Sequence, residues 1–202
     1  MALVNDPNGV VSVTATGVEM ASGERHDVDV LIYATGFDSN HIPFAVTGRD
    51  GVSLADQYGA NEANNWQMTR PQSLWGMHVE NLPNFYLMIG PQSLNPVTNV
   101  TLLCEEQGKY IANLVARMRK QGENEVEPTA AAVADWTQRC NASADGKVWL
   151  RCNNWYMKST KSDVEAGRER SQGMWMDTYE TYLQHVLGGA GGSQETLLRF
   201  RA

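Results

Sequence analysis

Nothing in this sequence approaches the run of about eighteen apolar residues that would cross a bilayer, and residues 1–4 open no charged-then-apolar leader. A membrane partner is not expected. Basic residues are scarce, 16 against 23 acidic ones, and the net charge of −7 gives no field to attract a phosphate backbone or an anionic lipid surface. Nucleic acid is excluded as a partner on the same ground. Cysteine is limited to Cys104, Cys140 and Cys152, an odd number spread far apart, which suits free thiols in the reducing cytoplasm and not a disulfide framework. The four histidines, His26, His41, His78 and His185, stand alone, so no metal-ligand spacing is present. No G-x-S-x-G elbow offers a nucleophile either. What remains is 202 residues, 42% hydrophobic with only 7 prolines, enough to bury a core without staples.

The chain reads as an α/β protein. Val10, Val11, Val13, Val18 and Met20 are short apolar stretches broken by Asn8-Gly9, Gly17 and Ser22-Gly23, the pattern of a hairpin or meander. Val28-Asp29-Val30-Leu31-Ile32-Tyr33 then runs as a strand into Ala34-Thr35-Gly36, as in a sheet covered on both faces. Residues 37–80 carry few strong apolar runs and many turn residues, and are predicted to be an irregular connection between domains. Asn84-Phe85-Tyr86-Leu87-Met88-Ile89 is predicted as a second buried strand ending at Gly90-Pro91, with a helix opening after Asn99 or Thr101. Its apolar face is Leu103, Tyr110, Ile111, Leu114, Val115 and Met118. A second helix is predicted from Pro128-Thr129, with Val133, Trp136, Thr137 and Cys140 on one stripe and Pro128 in its first turn. A last helix carries Trp175, Tyr179, Tyr182, Leu183 and Val186. Trp136 and Trp175 are expected in the core, and the glycine-rich stretch from Gly188 begins a flexible tail, 188–202.

Two places could carry chemistry. A strand that ends in Gly-Pro and feeds a helix gathers unpaired backbone N–H groups and a positive dipole end at one point, which favours an anion or an electron-rich ring edge. Ala34-Thr35-Gly36 supplies small residues that serve either a tight turn or the close approach of a ligand to backbone. The neighbouring acids Glu105 and Glu106 are expected to face solvent.

These residues bring a resemblance with them. Asp29 to Asp38, with Ala34-Thr35-Gly36-Phe37-Asp38 at its end, resembles the D-x-x-x-x-A-T-G-F-D segment of flavoproteins built from two dinucleotide-binding domains. Leu82-Pro83-Asn84-Phe85-Tyr86, then Gly90-Pro91-Gln92-Ser93, Asn99, Glu105 and Gln107, is similar to the closing FAD-binding stretch of the Baeyer–Villiger monooxygenases. Asn153-Asn154-Trp155-Tyr156 resembles their late N-x-W-Y segment. The three matches come in the family's order, and the resemblance runs from residue 3 to 185.

The resemblance implies a C-terminal part of such a flavoprotein: residues 1–36 ending the NADPH domain, 37–80 connecting, 81–122 the last strand and helix of the FAD domain, and 123–187 a C-terminal helical region. It implies FAD and NADPH as cofactors, a small ketone and oxygen as substrates, and an ester or lactone as product. It assigns cofactor contact to Ala34, Thr35, Gly36, Gly90, Pro91, Ser93, Asn99, Val100, Thr101, Asn154 and Trp155, with no catalytic residue among them. Gly90 and Pro91 would shape a loop against the flavin, Asn99 to Thr101 would aim a helix end at its pyrimidine edge, and Ala34 to Gly36 would cross back from the NADPH domain. Trp155 would wall the nicotinamide or substrate pocket, or else be a core tryptophan.

Two departures accompany the agreement. No G-x-G-x-x-G occurs anywhere, although the family carries two, and residues 157–163 lack the Gly-rich and Pro-Gly-Lys stretch that follows the family's tryptophan. The expectation is therefore a C-terminal fragment, inactive alone, that needs a missing N-terminal half or associates with itself through uncovered strand edges. An N- or S-oxygenating flavin monooxygenase and a non-catalytic complementing subunit remain as alternatives.

Overall fold

Short β-branched runs separated by turns fold as an antiparallel meander in the first of two units, Met1–Ser39 and Asn40–Ala202. The structure, a computed structural model, describes residues 3–6, 9–34, 44–62, 68–69, 71–93, 98–147, 174–188 and 194–202. Strands β1 (Val10–Val13), β2 (Gly17–Met20) and β3 (Arg25–Asp27) pair in that order, with Val13 opposite Val18 and Glu19 opposite Arg25. Ser12 donates to the Glu19 carboxylate at 3.1 Å, and Arg25 approaches it at 3.5 Å from the other neighbouring strand. Val18 and Met20 are buried, whereas Val10, Val11 and Val13 on the edge strand are exposed.

The strand expected at 28–33 is not formed. Residues 28–34 have no ladder partner, and Val30, Ile32 and Tyr33 are 74%, 81% and 73% exposed. The reason is that an apolar run becomes a strand only when neighbouring strands take up its N–H and C=O groups; the Val28 N–H donates to the Thr16 carbonyl at 3.0 Å, but no ladder continues beyond it among the described residues.

In the second unit local signals set the ends of the helices. A short helix, α1 (Leu54–Tyr58), starts at Ser53, whose hydroxyl accepts from the Asp56 N–H, and ends at Gly59. Helix α2 (Val100–Gln121) starts at Asn99 and ends at Gly122, whose φ of 71° closes the last turn, with Arg119 and Lys120 at its negative end. Leu103, Tyr110, Leu114 and Met118 fall on one face and are buried, as their spacing requires. Strand β4 (Glu125–Pro128) follows, then α3 (Ala130–Ala144), capped by Thr129. Helix α4 (Tyr179–Gly188) buries Tyr182 and Val186. A single-turn helix, α5 (Gln194–Leu197), leads into β5 (Leu198–Arg201), which pairs antiparallel with β4.

Several expectations are corrected here. Residues 84–89 are not a buried strand: they make one isolated bridge, Tyr86 to His78, and Asn84 and Ile89 sit at positive φ, so the segment turns where a strand would run straight. Pro128 closes β4 and Thr129 caps the helix, so the proline lies outside the first helical turn. Trp175 precedes α4, although the sequence places it within the last helix. The flexible tail from 188 to 202 instead contains α5 and β5, because Glu125 and Glu127 of β4 offer ladder partners and counter-charges to Arg201 and Arg199. Buried Glu127 lies 3.9, 3.6 and 3.7 Å from Arg49, Arg199 and Arg201. The pieces read at 148–150 and 153–156 lie outside the described residues.

The main core gathers Leu74, Met77, Leu103, Leu114, Val126, Trp136, Trp175, Tyr182 and Leu198. Trp136 and Trp175 are both buried in it as expected, stacked at 5.1 Å. Leu54, Tyr58, Val79 and Leu82 form a smaller cluster.

Candidate functional site

Helix α2 has 22 residues with no acid in its first turn, so the positive end of its dipole is uncompensated by charge. Asn99 holds that end in shape. Its side-chain oxygen accepts from the N–H groups of Thr101 and Leu102 at 3.0 and 3.3 Å and from the Thr101 hydroxyl at 2.6 Å. The cap therefore uses two of the N–H groups that the sequence offers to a ligand. Asn99, Val100, Thr101 and Leu102 are all exposed, placing two apolar side chains beside a partly positive backbone.

The Gly90-Pro91-Gln92-Ser93 loop is attached to the same helix. Ile89 and Gln92 have φ of 54° and 63°, left-handed values that a β-branched residue adopts only when its surroundings impose them. The Ile89 N–H donates to Gln107 Oε1 at 2.9 Å, and the Gly90 N–H donates to the Gly76 carbonyl at 2.9 Å. A Cβ on Gly90 would sit 2.7 Å from the Leu87 side chain and 2.8 Å from the Gly76 oxygen, and one on Gly76 would sit 2.4 Å from Ser93 Cβ. Close packing of residue 76 and the loop against each other thus explains both glycines, and Gly76 also has a left-handed φ of 73°.

A buried polar network locks the loop onto three helices. Gln92 accepts from the Ser73 N–H at 3.0 Å and donates to the Thr137 hydroxyl at 2.9 Å, while its carbonyl accepts from Trp136 Nε1 at 3.0 Å. The Ser73 hydroxyl donates to the Pro91 carbonyl. Gln107, 1% exposed, donates from Nε2 to Ser93 Oγ at 3.3 Å and to the Tyr182 hydroxyl at 3.0 Å, and that hydroxyl donates to the Trp75 carbonyl at 2.6 Å. The Ser93 carbonyl accepts from the Trp175 N–H at 2.9 Å. Each of these buried groups finds a partner, so the network stiffens the loop without a desolvation penalty left over.

Next to it His78, also buried, pairs through Nε2 with the Tyr110 hydroxyl at 2.9 Å and meets the rings of Trp75 and Tyr86 edge-on. Burial lowers its pKa to about 3 and raises that of the Tyr110 phenol, so both are neutral in ordinary buffers. Glu105 and Glu106 both pair with Lys109 on the outer side of α2, at 2.8 and 3.0 Å, with Glu105 exposed and Glu106 half-buried.

Of the residues singled out by sequence, Gly90, Pro91 and Ser93 stand in the locked loop and Asn99, Val100 and Thr101 form the first turn of α2, two turns ahead of Gln107. Ser93 is fully buried, and its polar atoms are engaged within the network. Ala34 is exposed in the first unit, outside any strand. Thr35, Gly36, Asn154 and Trp155 lie outside the described residues. Sequence reasoning missed the part played by Gln92 and Gln107 in the network. Gln107 carries a legible signal, a polar residue falling in register with Leu103, Tyr110 and Leu114 on an apolar stripe. Gln92 has none.

No protein-family model matches the chain. A Baeyer–Villiger monooxygenase of Pseudooceanicola batsensis is 31% identical over 149 residues, which cover 72% of this chain and 25% of that protein. Cyclohexanone monooxygenase from Rhodococcus sp. Phi1, solved bound to NADP+, superposes with a TM-score of 0.72 at 26% identity, covering 96% of this chain and 34% of the other. The complex of OTEMO with FAD and NADP shares the fold, with a TM-score of 0.71 at 24% identity over 95% of this chain and 33% of the other. Within the described residues no helix is long and apolar enough to cross a membrane. On these matches the chain is a homologue of the Baeyer–Villiger monooxygenases and spans between a quarter and about a third of the length of the proteins it matches.

Proposed function

We propose that the chain supplies the C-terminal part of an FAD- and NADPH-dependent monooxygenase that inserts one oxygen atom beside the carbonyl of a small ketone, giving an ester or lactone. The observation that carries the reading is the first turn of α2: an exposed, acid-free helix N-terminus flanked by Val100 and Leu102, on the helix whose Gln107, two turns further on, holds the Gly90–Ser93 loop. Those features fit a flavin, a flat apolar ring system with an electron-rich edge that gains negative charge on reduction. The flavin supplies the redox and oxygen chemistry when bound.

The chain's own residues bind, orient and exclude water. The α2 dipole stabilises negative charge at the ring edge, and because it is fixed in place it needs no reorganisation as that charge develops. Asn99 keeps the first turn folded, while Val100 and Leu102 supply apolar wall that displaces water. Gly90 and Pro91 form the half-buried turn of the loop, their backbone groups bonded inward, and Ser93 anchors it from within. Ala34, Thr35 and Gly36 serve as the crossing between dinucleotide domains, and Asn154 and Trp155 as the nucleotide or substrate wall. No proton-transferring residue is assigned. Free Cys104 and Cys140 fit a cytoplasmic setting.

The exposed apolar side chains of Val30, Leu31, Ile32 and Tyr33 support a second part of the reading, that this chain acts with a partner carrying the glycine-rich nucleotide-binding motifs it lacks. The test is visible absorbance and NADPH-dependent oxygen uptake with added FAD, first on this chain alone and then on the chain co-expressed with the remaining N-terminal part of the Pseudooceanicola relative. The chain alone is expected to consume no oxygen, and the pair to be yellow and to oxidise NADPH when cyclohexanone is present. A pair that copurifies yellow yet oxygenates only amines or sulfides turns the reading to a heteroatom monooxygenase. A chain that turns over alone overturns the need for a partner.

A further inference from the structure

We propose that Gln107 is a positioning residue for the candidate site, its buried carboxamide clamping the backbone of Ile89 and the side chain of Ser93 so that the intervening Gly90–Pro91–Gln92 loop is held in one conformation against α2, two turns past its first turn. The inference rests on the proposed flavin site for its functional meaning, but the clamp itself stands on geometry. Ile89 is a β-branched residue at a φ of 54°, a conformation that relaxes toward negative φ unless something holds it. Its N–H has Gln107 Oε1 as partner at 2.9 Å, and the other end of the loop meets Gln107 Nε2 through Ser93 Oγ at 3.3 Å.

The carboxamide fits this task because it combines an acceptor with two donors. The acceptor takes Ile89, one donor takes Ser93, and the second reaches the Tyr182 hydroxyl at 3.0 Å, which hands its own proton to the Trp75 carbonyl. A carboxylate of the same shape keeps the acceptor for Ile89 but offers no donor to Ser93 or Tyr182. An aliphatic side chain of the same size keeps neither. A core position on an apolar stripe gains nothing in packing from an amide, so the loop geometry is what the glutamine provides. The side-chain hydrogen bonds of Gln107 go to Ile89, Ser93 and Tyr182, and it acts on the loop through Ile89 and Ser93.

Amide hydrogen exchange on the full chain, read at Ile89 and at Leu114, tests the clamp in Gln107→Leu, Gln107→Glu and Ser93→Ala, with Leu114→Ala as a variant destabilised elsewhere on the same helix. Gln107→Leu is expected to speed exchange at Ile89 about 10- to 100-fold more than at Leu114, the loss of one buried hydrogen bond. Gln107→Glu is expected to restore slow exchange at Ile89, Ser93→Ala to have a smaller effect than Gln107→Leu, and Leu114→Ala to show no preference for Ile89. If Gln107→Leu fails to fold, the Gln107→Glu and Ser93→Ala pair decides on the same two amides. Equal acceleration at Ile89 and Leu114, or a wild-type Ile89 amide exchanging at open-chain rates, overturns the proposal.

The same proteins are titrated with FAD alone, followed by flavin fluorescence. Where the wild type binds, Gln107→Leu is expected to weaken FAD by about tenfold or more while Leu114→Ala, at matched stability, does not, a difference that a purely structural role would not produce. Equal weakening in the two variants overturns positioning. Wild-type chain that leaves FAD fluorescence unchanged counts against the proposed flavin site in this chain by itself, and the exchange rates at Ile89 then decide whether the clamp exists.

Discussion

Two apolar stretches of this chain meet opposite fates. Residues 28–33 contain Val28, Val30, Leu31, Ile32 and Tyr33, are exposed and join no ladder among the described residues, whereas α2 carries Leu103, Tyr110, Leu114 and Met118 and buries all four. Hydrophobicity does not separate them. A helix closes its own backbone hydrogen bonds and needs only a surface to pack on, while an extended segment leaves every N–H and C=O to be satisfied by another strand. The apolar stripe of α2 is covered within the core, and the apolar run at 28–33 finds no ladder partner among the described residues.

The largest test of that contrast is Leu114→Ala against Ile32→Ala. The first is expected to cost about 2–5 kcal/mol in urea unfolding, the second less than about 0.5 kcal/mol. Similar losses at both positions would show that 28–33 is packed in solution after all.

A second test uses the buried face of α2 through His78. Its pKa is about 3 in the folded protein against an ordinary value near 6.5, so the unfolded chain binds the extra proton between those values. Stability is therefore full above pH 6.5 and falls as pH drops, by about 1.4 kcal/mol per pH unit from this group alone. Gln is able to keep a partner for the Tyr110 hydroxyl without titrating. His78→Gln is expected to flatten the slope between pH 6 and 4, and an unchanged slope would show that His78 is solvated and not held in the core.

The start of α2 offers a smaller effect. Asn99→Ala removes the acceptor for two backbone N–H groups and is expected to destabilise by about 1 kcal/mol, with the loss of helical circular dichroism confined to a fraying first turn. No measurable change would mean that the exposed N–H groups are equally well served by water.

The smallest expected change in stability comes from Ile32→Ser, within about 0.5 kcal/mol, and there the readout is association. Sedimentation should show fewer oligomers than the wild type at the same concentration, because an apolar unpaired segment is the natural point of self-contact. Identical sedimentation would move the interface away from 28–33.

The legible parts of the molecule are those governed by near neighbours. Helices α2 and α3, the Asn99 start and the first-unit meander follow from spacing of 2 or 3.6 and from turn residues a few positions away. The strand expected at 84–89 failed for a reason the apolar count hides, since Asn84 and Ile89 turn the backbone at both ends. Strand β4 and its partner β5 were missed because Glu125 and Arg201 are separated by all of α3 and α4 and recognise each other only across the fold. The candidate site divides in the same way: Gly90, Pro91 and Asn99 announce themselves in the motif, while the partners of Gln92 come from α3 and Ser73 and those of Gln107 from α4 and the loop ends Ile89 and Ser93.

The sequence by itself determined the family resemblance, the place of the long helix and the glycine-proline loop that precedes it, because those depend on residue types at short, fixed separations. Only the tertiary structure decided that Gly76 and Gly90 answer to close packing, that buried amides hold the loop, and that the apolar run at 28–33 joins no ladder among the described residues. Hydrogen bonds between residues tens of positions apart, and strand partners not offered by the described residues, leave no periodic trace in the chain.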